Sequence, residues 1–266
     1  MRRAASLANW RALDAQLGPD CLRVASYNVH GCVGCGNVRD AERIAAVIAE
    51  LGCDTVGLQE VYGAQILGEK TRMQLIEGTP HKWHDRHVGN ALLTTRKVLA
   101  VRHHDWSWPG HEPRAALDVD LEVAGDPLRV IVTHLGLKPA ERRFQVKQIL
   151  NLLKNAPLTE RVVVLGDINE WLPLGRPLRW MHEILGRSPA ERSFPARWPL
   201  FALDRVWVRP RHALLAFGAH RSPLAALASD HLPVKAIVAA QEGRGSSANH
   251  DRAVRPRPAV RATGTG

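Results

Sequence analysis

Cysteine is scarce in this chain: Cys21, Cys32, Cys35 and Cys53 are all that its 266 residues hold. Cys32-Val33-Gly34-Cys35 forms one CxxC, but no second CxxC and no histidine pair follows at zinc-finger spacing. A structural zinc site and a thioredoxin-type motif are both disfavoured, and reduced thiols suit a cytosolic protein. Long apolar runs are lacking as well. No stretch approaches the roughly 18 consecutive apolar residues that span a bilayer as a helix. Met1-Arg2-Arg3 is basic, but Asn9, Arg11 and Asp14 interrupt any apolar signal core. There is no phosphate-cradling Gly-Lys-Ser/Thr loop, and no serine or cysteine stands in a nucleophile setting. The expectation is a monomer without a transmembrane segment, cytoplasmic or peripheral at the inner membrane.

Acidic residues fall short of basic ones, and the formal net charge is +10. The segment from Gln241 to Gly266 holds five Arg against Glu242 and Asp251, which leaves +7 on residues 1–240. A basic body favours phosphate-bearing partners, nucleic acid or anionic lipid headgroups. Arginine richness also follows from a GC-rich coding sequence, so charge bounds only the class of partner.

The length suits one large α/β domain. Residues 1–20 read as a short helical N-terminal extension, 21–240 as the folded domain, and 241–266 as a basic disordered tail poor in apolar residues. A strand over 22–29 leads through a glycine-rich loop to a helix that Asp40 can cap. Ile44, Val47, Ile48 and Leu51 make that helix's buried stripe, Gly52 ends it, and a strand returns over 54–61. Residues 63–78 read as helical. Strands are expected over 81–87, 89–95, 98–106, 115–123 and 128–134. In the fourth of these Asp118, Asp120 and Glu122 alternate with apolar residues, which predicts one wet face. A helix over 140–155 has Val146, Ile149, Leu150 and Leu153 facing inward. A strand over 161–165, a helix over 177–187 and strands over 202–208, 212–219 and 232–240 complete the domain.

Chemistry-bearing residues recur at the ends of these apolar runs, where open sheets place their sites. Asn28, Glu60, His134, Asp167 and Asn169 each close one, Asp204 lies in a strand-like alternation, and Asp230-His231 precedes the last strand. Neighbours on an extended chain point to opposite faces, so Asp230 and His231 are expected to serve different atoms of one site. Hard oxygen donors such as Glu60, Asp230 and the Asn28 amide suit Mg²⁺ or Mn²⁺ better than zinc. Imidazoles and further carboxylates suit activation of water and protonation of a leaving oxygen. Phosphoester hydrolysis needs that combination.

In order along the chain, Tyr27-Asn28, Gln59-Glu60, Thr133-His134-Leu135, Gly166-Asp167-Ile168-Asn169, Leu203-Asp204-Arg205-Val206 and Ser229-Asp230-His231 resemble the motifs of the endonuclease/exonuclease/phosphatase superfamily. The resemblance spans about residues 21–240 and is nearest to small bacterial members, through Gly89-Asn90-Ala91-Leu92-Leu93 and Glu112-Pro113-Arg114-Ala115. Ile168 stands where Phe is usual, and Cys35 where an acidic residue is common. The resemblance implies a four-layered α/β sandwich, two mixed β-sheets packed face to face with helices outside, of the DNase I type. It implies Glu60 as principal Mg²⁺ ligand supported by Asn28 and Asp230, with Mn²⁺ as a substitute. His231 would deprotonate or orient water, with Asp204 holding its ring. Asp167 and Asn169 would orient the nucleophile and stabilise phosphorus, Asp167 being an alternative base or second-metal ligand. His134 would bind a non-bridging oxygen or protonate the leaving group.

Arg114 is a candidate phosphate contact through its guanidinium fork, balanced by a surface ion pair with Glu112, and Asn90 a candidate scaffold residue. The expected activity is a Mg²⁺-dependent phosphodiesterase acting on nucleic acid or on a phospholipid-like diester. A phosphomonoesterase of the inositol-phosphatase type and a catalytically inactive binding module are the alternatives. Trp106, Trp108, Trp171 and Trp198, with Arg114, Arg176 and Arg197, fit either a nucleic-acid groove or a membrane interface.

Overall fold

A computed structural model describes residues 10–239 apart from positions 19, 79–80, 84–85 and 158–159. The first nine residues and the expected tail, 241–266, lie outside the described residues.

Chain order gives α1 (Trp10–Gln16), β1 (Cys21–Asn28), α2 (Ala41–Leu51), β2 (Thr55–Val61), α3 (Ala64–Thr71) and β3 (Gln74–Glu77). Next come β4 (His81–Trp83), β5 (Arg86–Thr94), β6 (Val98–Asp105), β7 (Ala115–Val123) and β8 (Asp126–His134). The second half continues with α4 (Pro139–Lys154), β9 (Val162–Asp167), α5 (Arg176–Leu185), β10 (Asp204–Arg209), β11 (Leu214–Ala219), α6 (Ala225–Ala228) and β12 (Val234–Ala239).

One sheet runs β11-β12-β1-β2-β5-β3, with β4 on β5, and the other runs β10-β9-β8-β7-β6. Among the described residues each contains a single parallel pair, β1 with β2 and β8 with β9. A helix bridges each pair, α2 and α4, as parallel neighbours require. All other pairs are antiparallel, so both sheets are mixed.

Alternation decides which face each strand buries. Val24, Leu92, Leu117, Val132, Leu165, Val206 and Val234 meet in the core between the sheets. On the outside of the first sheet Tyr27 and Leu58 pack on Ile44, Val47, Ile48, Leu51 and Leu67 of α2 and α3. On the outside of the second, Ile131, Val164 and Trp207 pack on Val146, Ile149, Leu153 and Met181 of α4 and α5. These are the four layers of the expected sandwich. The sheets come so close at Gly57 that a Cβ there would lie 2.4 Å from Leu165 Cδ1.

Local signals hold at α2: Asp40 Oδ1 accepts from the Arg43 amide at 2.9 Å, the stripe is buried, and Gly52 is left-handed. Two readings are corrected. The expected helix over 63–78 stops at Thr71, because Arg72 turns left-handed (φ 57°), and Gln74–Glu77 then pairs with β5. The face of β7 expected to be wet carries Asp118 fully buried. The Arg102 and Arg129 guanidiniums and His104 Nε2 all bond its carboxylate, at 2.6–3.1 Å. The extension also contributes: Trp10 is buried against Cys21, Ala216 and Ile237, with Lys235 Nζ 4.1 Å from its ring centre.

Candidate active site

Register brings the first part of the site together. His134 ends β8 opposite Asp167 at the end of β9, and Asp204 begins β10 opposite Asp167 on its other side. Three strand ends therefore set His134, Asp167 and Asp204 in one row. Gly166 makes the approach possible, since a Cβ there would lie 1.8 Å from the Thr133 carbonyl oxygen. Beyond β9 the chain turns sharply. Asn169 takes φ 51°, its amide donates to Asp167 Oδ1 at 2.9 Å, and Leu135 N donates to the Asp167 carbonyl.

The other sheet supplies Asn28 and Glu60. Asn28 ends β1, beside Gln59 of β2. Glu60 sits in a register break between β2 and β5, with φ 54°, a strained setting for a residue with a side chain. Asn28 Nδ2 donates to Glu60 Oε1 and to Asp167 Oδ2, both at 3.1 Å, which joins the two sheets. Its amide oxygen accepts from the His30 amide at 3.0 Å. The expected oxygen donor thus presents its nitrogen to the carboxylates, and a half-turn of the amide exchanges the two.

The loop before β12 brings the last pair. His231 Nδ1 lies 2.8 Å from Asp204 Oδ2, its Nε2 lies 3.6 Å from Asp167 Oδ2, and Phe194 packs on its ring. Asp230 turns elsewhere, Oδ1 being 3.2 Å from His30 Nδ1. The two neighbours do serve different atoms, though from a bend rather than a strand.

Burial and charge set the protonation states. Burial acts to lower the His231 pKa, but the Asp204 and Asp167 carboxylates outweigh it and hold the imidazole well above its ordinary value. Burial raises the Asp167 carboxyl, against the pull of His231. Burial, with Arg114 and His231 nearby, keeps His134 well below the ordinary value and so neutral. Asn169 Nδ2 lies 3.0 Å from His134 Nε2 and 2.8 Å from the Leu135 carbonyl, so Nε2 accepts and the ring proton sits on Nδ1. Asp230 bonds His30 and raises its pKa.

Glu60 and His134 share a small cleft with Gly89, Asn90, Pro113, Arg114 and Ala115. Asn90 and Arg114 thus line the same cleft as Glu60 and His134. Asn90 Nδ2 donates to the Ala115 carbonyl at 2.7 Å, which ties β5 to β7. The Arg114 fork is occupied by Glu112, at 2.9 and 3.0 Å, but the arginine is buried rather than at the surface.

Three partners escaped the sequence reading. His30 carried a signal, an imidazole two positions past Asn28. Ser193, whose Oγ donates to Asp204 Oδ2 at 2.6 Å, carried none, nor did Phe194.

Asp167, Asp204 and His231 offer atoms within 4.8 Å of one another, a grouping able to hold a metal ion. Among the described residues the carboxylates of Glu60, Asp167, Asp204 and Asp230 lie within ion-pair distance of imidazoles only, never of lysine or arginine. Carboxylates grouped at one mouth without a lysine or arginine partner suit a divalent ion.

The model of the Endonuclease/Exonuclease/phosphatase family matches residues 25–231. The chain belongs to this family. Its members are hydrolases acting on phosphoesters. The protein is 27% identical over 215 residues to YbhP of Escherichia coli K12, covering 71% of this chain and 85% of YbhP. A mannosyl-6-phosphatase of Bacteroides thetaiotaomicron superposes with TM-score 0.68 at 16% identity, covering 82% of this chain and 99% of that one. D. rerio TDP2 complexed with a single-strand DNA product superposes with TM-score 0.59 at 18% identity, covering 82% and 98%. At such identities the two structures share the fold.

Proposed function

We propose that the protein is a Mg²⁺-dependent phosphodiesterase, cleaving the phosphodiester bonds of nucleic acid or of a phospholipid-like diester. The observation that carries the reading is the set of four carboxylates, Glu60, Asp167, Asp204 and Asp230, gathered with imidazoles and amides and, among the described residues, no lysine or arginine partner. Mg²⁺ held by Glu60 and Asp230, with the Asn28 amide oxygen once turned, would neutralise charge developing on the phosphoryl oxygens.

The remaining steps belong to the chain's own groups. In the neutral form of His231, Asp204 fixes the Nδ1–H tautomer, which leaves Nε2 directed at the site to hold water and take its proton. Asp167, its carboxyl raised by burial, is the second candidate for that proton. Asn169 commits both amide hydrogens to His134 and the Leu135 carbonyl. It acts here as a positioning residue for His134 rather than on phosphorus itself. His134 Nε2, 3.9 Å from Glu60 and 3.7 Å from Asp167, faces the same space. To protonate a leaving oxygen it must first take up a proton there.

Purified protein with Mg²⁺ and with EDTA, assayed on plasmid DNA, an abasic duplex, RNA, sphingomyelin and a generic diester, tests this reading. Mg²⁺-dependent diester cleavage is expected. Preference for inositol phosphates over every diester would replace it with the phosphomonoesterase alternative. Metal binding without turnover on any ester would leave a binding module.

A further inference from the structure

Seven of the fourteen exposed large apolar side chains among the described residues lie in three loops, at 137, 171–174 and 198–201. Their tips stand far out: Leu172 is 67% exposed, Leu174 79%, Trp198 78% and Leu200 61%. The loops form one rim. The Trp171 ring packs edge-on against Phe194 and Phe201, with centroids 5.6 and 4.8 Å away, and Phe194 in turn touches His231. Beneath the rim a buried Arg142–Glu170 pair (3.3 Å) ties the loops together. Arg142 Nη1 donates to the Leu137 carbonyl, and Glu170 Oε1 accepts from the Leu172 amide. The apolar tips are thus held outward beside the active-site mouth by their own foundations.

A contiguous apolar rim on a soluble surface marks a contact. Stacking on nucleic acid uses aromatic faces and would leave Leu172, Leu174 and Leu200 without a role. A second copy of the chain would bring its own +10 charge towards a rim that already carries exposed Arg176 and Arg197. Leucine and tryptophan at the tips with arginine on the flanks match a lipid interface instead. There the apolar groups enter the acyl boundary and the guanidiniums meet anionic headgroups. We propose that this rim docks the protein peripherally on an anionic lipid bilayer, with Leu174 and Trp198 entering it. No helix among the described residues is long and apolar enough to cross a membrane.

The test is co-sedimentation of the full chain with vesicles of phosphatidylcholine plus phosphatidylglycerol, against phosphatidylcholine alone. Binding is expected to favour the anionic vesicles. Leu174→Glu and Trp198→Glu should each weaken it about tenfold or more, the scale of losing one buried apolar side chain. Quenching of the wild-type tryptophan emission by brominated lipid reads the same insertion without any variant, should one fail to fold. Absence of both sedimentation and quenching would overturn the proposal. So would oligothymidylate binding that Trp198→Glu abolishes while vesicle binding persists, or a dimer dissolved by both substitutions without vesicle binding. Vesicle binding is read without turnover. An inactive protein that docks would therefore sink the phosphodiesterase reading and leave the docking surface standing.

Discussion

His231 Nδ1 and Asp204 Oδ2 lie 2.8 Å apart, in a pair of side chains that are almost wholly buried. The carboxylate both fixes the ring's tautomer and raises its pKa, so the two residues are expected to act as one unit. His231→Ala and Asp204→Ala should each lower kcat about 10²–10⁴-fold, with the double variant scarcely worse than the worse single one. A double-mutant cycle on kcat at saturating Mg²⁺ measures this. Strictly multiplicative losses would show two separate roles and make Asp167 the better general base.

The same pair sets a pH dependence. A ring whose pKa is raised is protonated over more of the pH range, and it accepts a proton from water only as pH rises through that value. The acid limb of the rate profile should therefore move to lower pH in Asp204→Asn, which removes the carboxylate bonded to the ring that raises it. An unmoved limb would assign it to another group.

Ser193 completes the unit by donating to the same Asp204 oxygen at 2.6 Å, while Asp204 Oδ1 has no partner. Ser193→Ala removes one of two donors to a buried charge and should lower kcat about 10–100-fold with little change in KM. The accompanying shift of the acid limb separates a positioning role from mere loss of stability. Unchanged kcat would mean that His231 alone holds Asp204.

Glu60→Gln keeps the shape of the strand end and removes one charge. Activity should fall by orders of magnitude, and calorimetric Mg²⁺ binding should weaken, while the melting temperature holds. Full activity in EDTA, or restoration by Zn²⁺ alone, would exclude the hard-oxygen site.

The buried charge on β7 predicts acid sensitivity of the fold. Burial opposes ionisation of Asp118, but Arg129, Arg102 and His104 outweigh it and hold the carboxyl below its ordinary value. A depressed folded pKa gives stability that is present above the unfolded value, about 3.9, and lost as pH falls below it. Asp118→Asn should lower stability by about 3–5 kcal/mol at neutral pH, leaving two guanidiniums without their shared anion. The gap between variant and wild type should narrow as pH drops towards 3. Scanning calorimetry at several pH values checks both; a constant gap would place the acid sensitivity elsewhere.

The sequence showed the strand ends because Asn28, Glu60, His134 and Asp167 each follow an apolar run, and strand ends are where such residues meet. The helices were legible where periodicity and caps agreed, as at Asp40 and Gly52. Arg72 shows the limit: a left-handed arginine breaks the helix with no glycine or proline to announce it. Asp118 shows another, since period-2 alternation distinguishes faces but not whether a polar face meets water or arginines from neighbouring strands. Ser193 was invisible because its partner lies on a strand that only the tertiary fold brings near. The Arg114–Glu112 pair was legible from the sequence as a surface contact, but its burial beside Glu60 and His134 was not.

Asn28 reaches across 139 residues of sequence to bond Asp167, and no single sheet holds both. During refolding, either sheet could assemble by itself without producing a competent catalyst. Recovery of turnover after dilution from denaturant would then time the mating of the two sheets. Far-UV signals would time the earlier pairing of strands. Gly57, where the sheets stand closest, is the position at which an added methyl group should delay the first event and spare the second.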